Sequence, residues 1–96
     1  MTKPRAIIVD LDGVLCDHSH RIKYAFVKEW DLYHSLLSDD PPHQEMLDLI
    51  GYIPIRTATN ISTGRPERYR AMTVDWLNKH TVYPTNIHMR SDNDHR

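Results

Sequence analysis

Apolar residues first gather near the N-terminus, where Ala6, Ile7, Ile8, Val9 and Leu11 form a nearly continuous run broken by Asp10, Asp12 and Gly13. A short run of this kind predicts a strand over residues 5–11, covered on both faces as in a parallel sheet. Residues 17–40 are less regular. Tyr24, Val27, Leu32, Leu36 and Leu37 are spaced for one or two short helices packing over that strand's open end. A clearer helix is expected to start with Asp40 as N-cap and Pro41 at its first position. It carries Met46, Leu47, Leu49 and Ile50 and stops at Gly51. Residues 52–63 are rich in β-branched types, and their odd positions from Ile53 to Thr63 form one stripe, which predicts a second parallel strand with Pro54 near its start. Pro66 then opens a helix whose Tyr69, Met72, Trp76 and Leu77 share an apolar face and which ends at His80. Residues 86–89 read as a third strand, and residues 90–96 as a polar tail. Strand, helical insert, helix, strand, helix, strand implies right-handed crossovers in a parallel sheet, an α/β fold.

The chemistry concentrates where the first strand breaks. Alternate strand residues face the same way, so Asp10 and Asp12 would project together if strand geometry persisted that far. Ligands of open α/β sheets bind outside the carboxyl ends of strands, and paired acids there offer hard oxygens to a divalent cation. Gly13 permits a sharp turn. A calcium-binding loop beginning at Asp10 would need a glutamate at its twelfth position, where Arg21 stands. Further on, Thr63 is expected just past the second strand and before a helix N-terminus, where its hydroxyl and nearby N–H groups can hold phosphate oxygens. Thr63-Gly64-Arg65-Pro66 also reads as ordinary helix-capping turn chemistry, with Arg65 as the candidate for a charge-assisted contact.

Ninety-six residues with 40% hydrophobic and 26% charged content describe one globular domain. No apolar run approaches the ~20 residues of a membrane span, and no membrane association is expected. Lys3, Pro4 and Arg5 lead straight into the first strand without a signal-peptide pattern, and the single cysteine, Cys16, cannot form an internal disulfide; both suit the cytoplasm. Net charge is −1, but residues 1–48 hold five Lys/Arg against nine Asp/Glu, and residues 49–96 hold seven against four. An acidic metal end facing an arginine-rich end suits a phosphorylated substrate. The basic residues are too few for a typical DNA-binding module.

The stretch from Ile7 to Val14, an apolar strand followed by Asp-x-Asp-Gly-Val, resembles motif I of the haloacid dehalogenase-like phosphohydrolases, and Thr63 with its following turn resembles motif II. More narrowly, Asp10 to Asp17, His20-Arg21, the Trp30 to His34 cluster with Asp40, Ser62 to His80 and His88-Met89-Arg90 are similar to the phosphatase domain of phage polynucleotide kinase/3'-phosphatases. The resemblance implies a three-layer Rossmann-like sheet with a small helical insert at about residues 17–40, in one domain over residues 1–96. It implies Asp10 as nucleophile and Asp12 as general acid/base. Thr63, Gly64 and Arg65 would bind the phosphoryl group, Arg21 and Arg90 would help place substrate, and Mg²⁺ would be held at Asp10 and Asp12. The substrate implied is a 3'-phosphorylated nucleic-acid end, in a host cytoplasm if the protein is phage-encoded.

That family continues into a motif III lysine and motif IV acids that have no match here. Lys79 lies on the preceding helix, and Asp92 and Asp94 lie in the tail, where a solvated polar end is the plain alternative. The fold is therefore expected to be incomplete relative to the family. Two further readings stand beside the 3'-phosphatase: a phosphatase of nucleotides or small metabolites, and a non-catalytic remnant that binds phosphate or a partner. No Gly-x-x-x-x-Gly-Lys-Ser/Thr loop for a kinase is present.

Overall fold

The computed structural model describes residues 5–54 and 56–92. Strand β1 (Ala6–Asp10) is followed by the short helices α1 (Ile22–Phe26) and α2 (Trp30–Ser35) and a 3₁₀ turn at Leu37–Asp39. Helix α3 (Gln44–Gly51), strand β2 (Ala58–Pro66), a second 3₁₀ turn at Glu67–Tyr69, helix α4 (Arg70–Lys79) and strand β3 (Asn86–Arg90) complete the order. The strands are parallel and lie in the order β1-β2-β3, the α/β arrangement expected.

Register divides the sheet into two unlike faces. Ile7, Val9, Thr59, Ile61 and Ile87 point to one side, where Val9, Ile61 and Ile87 join Leu11, Leu15, Cys16, Leu47, Trp76, Leu77 and Val82 in the core. The odd-numbered stripe of β2 supplies that buried side. Ile8, Asp10, Ser62, Asn86 and His88 point the other way and are exposed. The expectation that β1 is covered on both faces is thus corrected. Among the described residues β1 is an edge strand, its residues alternate in exposure, and Ile8 remains 76% exposed. Asn60 and Ser62, polar residues of β2, share the bare face with Ile8 and Asp10.

Three other boundaries move. Helix α3 begins after His43 rather than at Asp40, because Pro42 biases Pro41 away from helical geometry. The Pro-Pro segment instead reaches across the chain, with Asp17 N–H bonded to the Pro41 carbonyl at 2.7 Å and His43 N–H to the Leu15 carbonyl at 2.8 Å. Strand β2 starts at Ala58 and runs on through Pro66, whose ψ of 150° is extended. The expected strand positions before Ala58 lie in turns, bends and irregular chain, apart from Ile55, which lies outside the described residues, as do 93–96 of the polar tail. In the insert two short helices form as expected, but Val27 and Leu32 are exposed, and Arg21, Tyr33, His34, Leu37 and Asp40 are the residues buried.

Candidate active site

Asp10 ends β1 on the bare face, paired in register with Ser62. One carboxylate oxygen accepts the Leu11 N–H at 2.8 Å. The residue lines an open cavity of about 450 Å³ with Ile8, Ser62, Thr63 and Gly64. A second cavity of about 360 Å³ shares Ser62, Thr63 and Gly64 and extends to His88, Met89, Arg90 and Ser91. Between Ser62 and Pro66 the pairing of β2 with β3 is irregular. This bulge releases Thr63 and Gly64 from the regular ladder beside Asp10. Thr63 therefore sits within β2, not immediately before a helix, and its Oγ1 accepts the Arg65 N–H at 3.2 Å.

Strand geometry does not persist to Asp12. The N–H groups of Val14, Leu15 and Cys16 converge on the Leu11 carbonyl at 3.2, 2.9 and 3.1 Å, and Gly13 takes φ +82°, which favours glycine. Asp12 is turned onto two guanidinium groups. Arg21 Nη2 donates to its Oδ1 at 2.5 Å; Arg65 donates through Nε to both oxygens, at 3.2 and 3.1 Å, and through Nη2 at 2.7 Å. Arg21 also donates to both oxygens of Asp40, at 2.8 and 2.6 Å, and to the Tyr33 carbonyl at 3.2 Å. Arg65 Nη1 reaches Thr73 Oγ1 at 2.9 Å. Both arginine side chains are fully buried. Burial alone would raise the Asp12 pKa, but the hydrogen bond and charge of Arg65, and then those of Arg21, outweigh it and hold the carboxyl below its ordinary range.

The residues expected to act together therefore form two groups. Asp10, Thr63 and Gly64 line the open cavity, with Arg90 in the adjoining one, while the partly exposed Asp12 joins the buried Arg21 and Arg65 in a charge network. Asp40, Thr73 and Tyr33 belong to that network and were not expected there. Asp40 reads as a helix cap from sequence, yet its side chain serves Arg21 and, at 2.7 Å, His20.

An aromatic wall stands against Arg21. The Tyr33 ring lies 4.4 Å beneath the Arg21 guanidinium, and its hydroxyl bonds to His18 Nδ1 at 2.7 Å. Trp30 meets Tyr33 edge-on at 6.0 Å, and His34 packs 5.1 Å from the Tyr69 ring, over which Arg68 lies at 5.1 Å. His34 is 4% exposed and its Nδ1 has no hydrogen-bond partner. Burial lowers its pKa to about 4, helped by the charges of Arg21, Arg65 and Arg90 against that of Asp12.

Asp12, Cys16 and Asp40 bring three potential metal-ligand atoms within 4.8 Å of one another. Their chemistry does not suit Mg²⁺: both carboxylates are occupied by arginines, and burial pushes the Cys16 thiol up to about 12. The Asp10 carboxylate, which accepts one hydrogen bond and opens onto the cavity, and the Asp12 main-chain carbonyl are oxygen donors that do fit a hard cation.

A family model of the polynucleotide kinase PNKP phosphatase domain matches residues 4–96. The chain belongs to this family. It is a haloacid dehalogenase-like domain of the polynucleotide kinase phosphatase type, as its motifs implied. No curated protein matches it by sequence. Among solved structures it is similar to a chain of the Pnkp1/Rnl/Hen1 complex, with a TM-score of 0.80 and 26% identity, covering 97% of this PNKP phosphatase-type chain and 30% of that one. It is equally similar to a chain of the Pnkp1/Rnl/Hen1 RNA repair complex, at TM-score 0.80 and 26% identity, covering 97% of itself and 28% of the other. The chain thus spans under a third of the length of these relatives.

Proposed function

We propose that the protein removes 3'-phosphates from polynucleotide ends through an aspartyl-phosphate on Asp10. The observation that carries this reading is the placement of an accessible carboxylate, Asp10, in one cavity wall with Thr63 and Gly64, one turn away from an ionised, rigidly held Asp12. Asp10 attacks phosphorus in line, forming an Oδ–P bond as the bond to the sugar oxygen breaks. Asp12, ionised at rest, takes up a proton from solvent and passes it to that leaving oxygen, then takes a proton from the water that cleaves the intermediate and returns it to solvent, restoring Asp10 and releasing phosphate. The depressed pKa of Asp12 makes its acid form a ready donor and its ionised form the resting one. Thr63, Gly64 and Arg90 hold the phosphoryl oxygens; Arg21 and Arg65 act on the substrate through Asp12. Mg²⁺ bound at Asp10 and the Asp12 carbonyl would offset repulsion between the carboxylate and the anionic phosphate. The RNA repair complex that contains a similar chain supports a polynucleotide end as substrate.

The test is phosphate release from a 3'-phosphorylated oligonucleotide with and without Mg²⁺, beside a 5'-phosphorylated control and the Asp10→Asn protein. Metal-dependent release from the 3' end alone, lost in Asp10→Asn, is the expected result. Equal release by Asp10→Asn would remove Asp10 as nucleophile, and equal release from a mononucleotide would make the substrate a small phosphoester.

A further inference from the structure

Trp30 opens α2 at the exposed end of the wall that stands against Arg21. Asp12 is bonded to Arg21, Arg21 lies over Tyr33, and Tyr33 meets Trp30. A second line of rings runs from Trp30 through His34, at 6.4 Å with planes 27° apart, to Tyr69 and the Arg68 guanidinium. Tyr33 and His34 are buried, but Trp30 is 46% exposed. The rings beneath it fix its edge and leave indole surface in solvent.

In-line attack by Asp10 places the leaving oxygen on the far side of phosphorus, where Asp12 meets it. The nucleoside attached to that oxygen is therefore on the Asp12 side, from which the contacts through Arg21 and Tyr33 lead outward to Trp30. We propose that Trp30 is a stacking platform for the terminal nucleobase of the 3'-phosphorylated strand, and so determines specificity for polynucleotide ends over small phosphoesters. The inference rests on the polynucleotide reading above. Indole–base stacking suits a flat, fixed ring with cationic neighbours and tolerates any base. Arg68 is paired with Asp31 at 2.7 Å at the exposed edge of the wall.

Binding separates this inference from the catalytic reading. Fluorescence anisotropy would give affinities for two 3'-phosphorylated oligonucleotides, one with an intact terminal base and one abasic at that position, with the wild-type, Trp30→Leu and Trp30→Phe proteins. The wild type is expected to prefer the intact end roughly tenfold, the scale of one base–aromatic stack. Trp30→Leu should lose that preference and Trp30→Phe should keep most of it. The intact end should also quench indole emission, a signal assignable to Trp30 because Trp76 is 2% exposed and bonded through Nε1 to the Asp40 carbonyl. Equal affinity of the wild type for the two ends, or an unchanged preference in Trp30→Leu, overturns the proposal, whatever the phosphate-release assay shows. Discrimination by Trp30 without phosphate release would keep the platform and refute the catalytic reading alone.

Discussion

Arg65 straddles the Asp12 carboxylate across 53 positions of sequence, with Nε at 3.2 and 3.1 Å from the two oxygens and Nη2 at 2.7 Å from one. The contact ties the bulged end of β2 to the turn after β1, and it fixes the orientation of the carboxylate. A lysine carries the charge but not the fork, and it cannot also reach Thr73. Arg65→Lys is expected to remain folded with a loss of about 2 kcal/mol in urea unfolding, while phosphate release falls by at least about tenfold. Arg65→Ala, which leaves a buried carboxylate short of a partner, should cost about 3–5 kcal/mol. Wild-type activity in Arg65→Lys would show that the orientation of Asp12 does not limit the reaction.

His34 makes the protein acid-sensitive. Its pKa of about 4 in the fold lies below the ordinary 6.5, so the unfolded chain binds a proton that the folded chain excludes. Stability is therefore full above about pH 6.5 and declines as pH falls toward 4, by about 2 kcal/mol at pH 5 and about 3 kcal/mol in all. The low pKa of Asp12 adds a loss only at still lower pH, below its ordinary 3.8. Urea midpoints at pH 7.5 and 5 should differ in the wild type and draw together in His34→Phe. An equal acid shift in that variant would place the sensitive group elsewhere.

How much of this was legible in the sequence depended on the range of the interaction. Asp10 and Gly13 could be read because strand, break and turn are local. The order of parallel strands followed from spacing, and the core stripe of β2 from alternation. The fate of Asp40 and Thr73 could not be read, because each is set by an arginine 19 or 8 residues away whose burial is a tertiary event. Asp40 before Pro41 carries every local mark of a helix cap, and only Pro42 signals that the helix starts later. Val27 and Leu32 have helical spacing, yet the insert buries Tyr33 and His34, because the face that packs is chosen by the charge network.

Gly13 lies at φ +82°, and a Cβ built there would come within 3.3 Å of His18 Nε2. Gly13→Ala therefore meets backbone strain of about 1–2 kcal/mol and pushes the imidazole away from its bond to Tyr33. The melting temperature should drop by several degrees. Phosphate release should drop as well, because the same turn presents Asp12 and supports the wall at Tyr33. A variant with wild-type melting and activity would mean that the turn rearranges freely.

Cys16 tests the burial of the network without touching it. The thiol is fully buried, 3.6 Å from Arg65 Nη2, and burial raises its pKa to about 12 despite that charge. At pH 8 the thiolate is therefore scarce in the folded protein, and the sulfur is shielded from reagents as well. Iodoacetamide should leave the native protein unmodified over hours and alkylate it rapidly in 6 M guanidinium. Because reaction requires opening of the Asp12–Arg65 region, labelling at intermediate urea measures the stability of that region separately from global unfolding followed by circular dichroism. Coincident curves would show that the charge network opens only when the whole sheet does. Earlier labelling would show that it opens locally, before the core of Ile61, Trp76 and Leu77 is lost.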